Sequence, residues 1–298
     1  MTDVDRLTLP KLAEMVQSGR RVAMVTAYDS SSARLADAAG LDIILVGDSA
    51  GQTSLGYEST VPVTMEEMLM LTRAVTRTVR RALVIADMPF GSYQVDDSEA
   101  LRNAIRLIKE AGADGVKLEG ARRTLTQIGA IVDAGIPVMG HVGLTPQSAK
   151  LAGSYRARGR TAAEARRIFD EARALERAGC FAVVLEAIPA PVAARITETL
   201  AIPTIGIGAG AACDGQVLVW HDLLGLTTGH VARFVKKYSD LSTVILDALQ
   251  AYVADVKTGA FPDESRSYGM PSNELARFDA QTAEPSPPRV PPAPVPKG

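Results

Sequence analysis

Residues able to do chemistry sit at the ends of short apolar runs in this chain. Ile43, Ile44, Leu45 and Val46 lead into Asp48 and Ser49, and ALVIADMPF (82–90) carries Asp87. DGVKLEG (114–120) carries Lys117 and Glu119, IPVMGHVG (136–143) carries His141, and VVLEAIP (183–189) carries Glu186. A carboxylate at the tip of a core run is costly unless something neutralises it. Asp48, Asp87 and Glu119 fall about one strand–helix unit apart. Neighbouring strands lie roughly 4.8 Å apart, so the three carboxylates can converge on one cation. Hard, all-oxygen ligation suits Mg²⁺ or Mn²⁺ and speaks against zinc held by Cys or His. The plainer reading has each acid capping a helix or pairing with a rim arginine. Three acids at matching positions with a lysine among them favour the metal.

Lys117 and Glu119 are two apart and share a strand face. Lys117 can be a Schiff-base nucleophile, as in metal-free aldolases, but such a lysine needs a lowered pKa. Among acids it stays protonated and serves instead as a clamp for a substrate carboxylate. His141 either hydrogen-bonds within the core or touches substrate. Glu186 suits a general base with a raised pKa, or else is a buried, hydrogen-bonded acid.

The elements that must position these groups follow from recurring punctuation. Ala39-Gly40, Ala111-Gly112, Ala134-Gly135 and Ala178-Gly179 each close a helical pattern and precede a β-type run. Glycine there supplies the left-handed residue that stops a helix. The runs are continuously apolar, as a parallel sheet covered on its outer face requires. VAMVTAYD (22–29), IPTIGIGAG (202–210) and GQVLVWHD (215–222) bring the strands to about eight. Helices include 64–80, opened by a Thr64/Glu67 capping box, and 161–178. This alternation predicts a (β/α)8 TIM-type barrel with an N-terminal helix, spanning residues 1–268. AEPSPPRVPPAPVPKG (283–298) is dense in proline, so 269–298 reads as a disordered, proline-rich tail. Gly206-Ile-Gly208-Ala-Gly210-Ala211 matches a dinucleotide pattern, but no long helix follows it, and it reads as a tight turn.

The chain has 298 residues, 47% hydrophobic and 22% charged, with a net charge of -2. That balance gives no reason to expect nucleic acid or an anionic membrane as partner. Cys180 and Cys213 form neither a disulfide framework nor a CxxC pair and read as reduced structural thiols. The N-terminus lacks an apolar signal segment. A cytoplasmic enzyme is expected.

With these residues placed, the chain resembles the ketopantoate hydroxymethyltransferase family. The matching stretches are VTAYD (25–29), VGDSAG (46–51), TVPVT (60–64), ADMPF (86–90), VKLEG (116–120), GHVGLTPQS (140–148), VLEAIP (184–189), IPTIGIGAG (202–210) and DGQVLVWHDLLG (214–225). They run in family order to about Tyr268. The resemblance implies a (β/α)8 barrel, one Mg²⁺ per subunit and a homodecamer. It implies transfer of a hydroxymethyl group from 5,10-methylenetetrahydrofolate to 3-methyl-2-oxobutanoate, giving 2-dehydropantoate for pantothenate and coenzyme A. It makes Asp48, Asp87 and Glu119 the metal ligands and Glu186 the proton acceptor. Asp48, Ser49, Asp87 and Lys117 become the substrate contacts, with His141 near the keto oxygen or a carboxylate. No motif marks the folate pocket.

Two rival readings remain. One is a metal-dependent carbon–carbon lyase or mutase of 2-oxo acids on the same barrel, against which the KKCGH loop of the isocitrate lyase type is absent. The other is a non-catalytic assembly subunit that recruits partners through its tail.

Overall fold

The computed structural model describes residues 6–149, 156–229 and 231–283. Eight strands carry the apolar runs: β1 (Val22–Thr26), β2 (Ile43–Val46), β3 (Leu83–Asp87), β4 (Gly115–Glu119), β5 (Val138–Gly143), β6 (Ala182–Glu186), β7 (Thr204–Ile207) and β8 (Gly215–Leu218). Each pairs in parallel with the next, and β1 also pairs with β8, so the sheet closes into a barrel. The (β/α)8 expectation holds. The eighth run turns sooner than its sequence suggested: β8 stops at Leu218, and Trp220–Leu224 is a short helix.

The helices begin and end for local reasons. Met65–Thr76 is opened by a complete capping box between Thr64 and Glu67, and Ala162–Arg177 by Thr161 accepting from the Glu164 N–H. Gly40 and Gly179 stand at φ +88° and +90°, the left-handed geometry that lets the chain leave a helix and enter the next strand. No described helix is long and apolar enough to cross a membrane.

Two apolar layers form around the sheet. Residues facing outward, such as Ile44, Val46, Val84, Val116, Leu118 and Val183, are buried against the helices. Residues facing inward, including Val22, Met24, Ile43, Leu45, Leu83, Ile85, Met139, Val184 and Val217, fill the lower barrel. Leu12 and Met15 of the N-terminal helix Leu9–Gln17 join this inner cluster. The lower barrel is therefore packed, and any inward polar group must lie near the C-terminal ends of the strands.

Residues 1–242 form one compact unit, and a second begins at Thr243. Leu241–Thr258 is an 18-residue helix, and Ser272–Gln281 is another. The latter, SNELARFDAQ, is rich in good helix formers after Pro271, so regular structure continues past residue 268, where the sequence pattern of the barrel stops. Residues 284–298, the proline-dense segment, lie outside the described residues.

Candidate active site

The strand period of two decides which groups enter the barrel. Ile85 faces inward and so does Asp87; Gly115 faces inward and so do Lys117 and Glu119; Met139 is followed by His141, and Val184 by Glu186. Asp87, Lys117, Glu119, His141 and Glu186 line one cavity of about 200 Å³, together with Thr26, Asp48 and Ser49. Register sets neighbours: Asp87 is the Cα partner of Lys117, and Glu119 of His141.

Asp48 arrives differently. By alternation Gly47, not Asp48, occupies the inward position after Ile43 and Leu45. A side chain at Gly47 would put its Cβ 2.8 Å from Ser49 Oγ and 3.4 Å from Asp87 Oδ2. Glycine leaves that room, and the chain turns so that the Asp48 N–H donates to Asp87 Oδ2 at 3.0 Å. Asp48 thus enters from the turn beyond β2 and is buried to 4% exposure.

The polar network is continuous. Lys117 Nζ donates to Asp87 Oδ1 at 2.5 Å, so both Asp87 oxygens are engaged. His141 stands between two carboxylates, with Nδ1 3.6 Å from Glu119 Oε1 and Nε2 3.3 Å from Glu186 Oε2. Both separations are long for hydrogen bonds, and Glu119 Oε1 is buried without a donor. The Glu186 side chain is 16% exposed, against 2–5% for Lys117, Asp87, Glu119 and His141. Of the inward acids, Glu186 is the one a bound molecule can reach most freely.

Electrostatics follow from burial and charge count. Burial, with Asp87 and Glu119 beside it, pushes the Asp48 carboxyl well above the usual carboxylate range. Burial works against charge on Lys117, but Asp87, Glu119 and Asp48 outweigh it and hold the amine protonated. Burial likewise opposes charge on His141, yet Glu119 and Glu186 lift it to about 9. The cavity therefore holds fewer cations than carboxylates.

Ser49 Oγ shares a 2.8 Å hydrogen bond with the Tyr28 hydroxyl at the cavity wall. Asp29, which also ends a strand run, accepts from the Ser31 and Ser32 N–H groups and caps the helix Ser30–Ala38. Cys180 and Cys213 are buried and free. GIGAG is a turn: Gly208 and Gly210 have positive φ, and β8 follows at once.

Two residues in the network escaped sequence reading. Gln147 donates from Nε2 to Asp48 Oδ2 at 2.8 Å and from its backbone N–H to Glu119 Oε2 at 3.0 Å. The Tyr93 hydroxyl donates to Gln147 Oε1 at 2.5 Å. Neither residue lies on a strand, so no periodicity marks them; only the position of Gln147 just past β5 hinted at the site.

The arrangement of acids, lysine and histidine on this barrel mouth has a match across the chain. The sequence profile of the ketopantoate hydroxymethyltransferase family covers residues 6–264. The chain belongs to that family. It is 52% identical over 275 residues to 3-methyl-2-oxobutanoate hydroxymethyltransferase of Carboxydothermus hydrogenoformans, covering 92% of this chain and 100% of that one. It is 55% identical over 268 residues to the enzyme of the same name from Moorella thermoacetica, covering 90% and 100%. As a member of the ketopantoate hydroxymethyltransferase family, the chain is an enzyme and a transferase, and the family product places it in pantothenate biosynthesis. Among solved structures it resembles phosphoenolpyruvate phosphomutase from Streptomyces platensis subsp. rosaceus, with TM-score 0.59, 17% identity and 93% and 100% coverage. A phosphonopyruvate hydrolase complex with oxalate and Mg²⁺ gives TM-score 0.57 at 15% identity, covering 93% of this chain and 99% of that one. These two likenesses concern the fold alone.

Proposed function

We propose that this enzyme uses Glu186 to remove the C3 proton of 3-methyl-2-oxobutanoate and couples the resulting enolate to the one-carbon unit of 5,10-methylenetetrahydrofolate. The observation that carries this reading is one cavity in which Lys117 and three buried acids lie beside His141, and His141 lies beside the more exposed Glu186.

A divalent cation fits the acid wall. Asp48, Asp87 and Glu119 are hard oxygen donors, Glu119 Oε1 lacks a protein donor, and Asp48 resists ionisation where cations are too few. Among the described residues, no three Asp, Glu, His or Cys side chains form a ready cage for an ion. When bound, such a cation withdraws charge from the keto oxygen and favours loss of the C3 proton.

The chain's own groups do the rest. Lys117, held protonated, pairs with the substrate carboxylate, and Ser49 hydrogen-bonds at the same end. Glu186 accepts the C3 proton. His141, charged between Glu119 and Glu186, holds the Glu186 carboxylate in place by its contact at Oε2. Water cleaves the two carbon–nitrogen bonds of the methylene donor, releasing its carbon at the formaldehyde level with tetrahydrofolate as the leaving group. The C3 carbanion equivalent adds to that carbonyl carbon, and the resulting alkoxide takes back the proton held by Glu186 to become the product hydroxyl. Nearness of base and carbon acid is what the barrel mouth contributes.

Proton NMR in deuterated water without folate tests the reading. The enzyme with Mg²⁺ should exchange the C3 proton, since the one-carbon donor is needed only to trap the enolate. Glu186→Gln keeps the shape but cannot accept a proton, so exchange should fall by ~10²–10⁴-fold. Exchange at the wild-type rate in Glu186→Gln would remove Glu186 from the base role.

A further inference from the structure

Gln147 is buried where the ends of three strands converge. It is 3% exposed, and its Nε2 faces Asp48 Oδ2 at 2.8 Å and the Met88 carbonyl, which can only accept, at 3.0 Å. Its Oε1 faces a donor, the Tyr93 hydroxyl at 2.5 Å. Tyr93 is itself 1% exposed, and its oxygen accepts from the Glu119 N–H at 3.3 Å. The amide therefore has one allowed orientation. Turned over, it would set oxygen against the Met88 carbonyl and leave that buried acceptor unpaired.

This one residue ties together the tips of three strands. Through Nε2 it holds the acid beyond β2 and the backbone beyond β3. Through its main-chain N–H it holds Glu119 Oε2 at the end of β4 at 3.0 Å. In both acids it engages a single oxygen, and the other oxygen of Glu119 lies 3.6 Å from His141 Nδ1. Groups that hydrogen-bond to metal-binding carboxylates orient them and govern affinity.

We propose that Gln147 is a positioning residue whose side-chain amide sets Asp48 for divalent-cation binding, with Tyr93 fixing which end of that amide faces the acid. The proposal rests on the cation reading given above.

The test measures Mn²⁺ binding by electron paramagnetic resonance, without substrate, on the full chain and on Gln147→Leu and Tyr93→Phe. Gln147→Leu keeps apolar bulk and removes every polar atom of the amide. Its Mn²⁺ affinity should fall ~10–100-fold, the usual cost of losing a group that orients a metal ligand. Tyr93→Phe removes one oxygen and should show a smaller fall; if Gln147→Leu does not fold, this variant decides. Turnover of both variants should recover at saturating Mg²⁺, because the amide acts only through Asp48. Wild-type Mn²⁺ affinity in Gln147→Leu, or turnover that stays low at saturating Mg²⁺, would overturn the assignment while sparing the cation reading. Failure of the unmodified enzyme to bind Mn²⁺ would overturn the cation reading itself.

Discussion

Lys117 and Asp87 are direct partners across β4 and β3, and their Nζ–Oδ1 separation is 2.5 Å with both side chains buried. In the reading proposed above, this ion pair lets an anionic substrate sit among the acids. Asp87 alone would repel a carboxylate, whereas a protonated Lys117 beside it presents positive charge to the cavity.

Lys117→Met should therefore be costly in two ways. Removing one partner of a buried pair leaves the other uncompensated, typically ~3–5 kcal/mol of stability. A lower melting temperature and a raised KM for 3-methyl-2-oxobutanoate are expected. Borohydride added with the oxo acid should trap nothing on the unmodified enzyme by mass spectrometry. An adduct on Lys117 would point to Schiff-base chemistry.

Chelation should abolish activity, and Mg²⁺ should restore it. Asp48→Asn keeps the size and removes the charge that burial already disfavours. Calorimetric titration of this variant with Mg²⁺ should show weaker binding, while its melting temperature without metal stays level or rises. Equal Mg²⁺ affinity in variant and parent would remove Asp48 from the cation site.

His141 predicts a pH dependence. Its folded-state pKa is raised from 6.5 to about 9 by Glu119 and Glu186 against the opposing effect of burial. The folded protein binds this proton more tightly, so the stabilisation is complete below pH 6.5 and is lost as pH rises to about 9. Melting temperatures measured in chelator should fall across that window. His141→Gln should flatten the fall; an unchanged slope would show that the imidazolium is not its source.

Gly47→Ala tests the turn that admits Asp48. The added methyl lands 2.8 Å from Ser49 Oγ and 3.4 Å from Asp87 Oδ2. The Ser49 hydroxyl must give way, whereas 3.4 Å from Asp87 is ordinary contact. Oxo-acid affinity should drop by more than any loss of thermal stability would explain. Crystallography of the variant would show whether Ser49 has moved, and wild-type kinetics would argue that the cavity has slack.

Much was legible in the residues themselves. Glycine punctuation and continuous apolar runs announced eight strands and a barrel, because stopping a helix and burying both faces of a sheet each demand particular residue types. Asp87, Lys117, Glu119, His141 and Glu186 could be picked out because they interrupt those runs near their ends, and a period of two then sends them inward. What the order of residues could not state was which of them meet. Asp48 lies off the inward alternation and reaches the cavity only because the chain turns at Gly47 and hydrogen-bonds to Asp87. His141 became the bridge between Glu119 and Glu186 through the register of β4, β5 and β6. Gln147 and Tyr93 come from connections with no periodicity at all and join only where three strand tips converge. Side-chain type and strand direction are local properties, written in sequence. Distances between groups 30 to 99 residues apart are set by the closing of the barrel, and these decide the charge balance of the site.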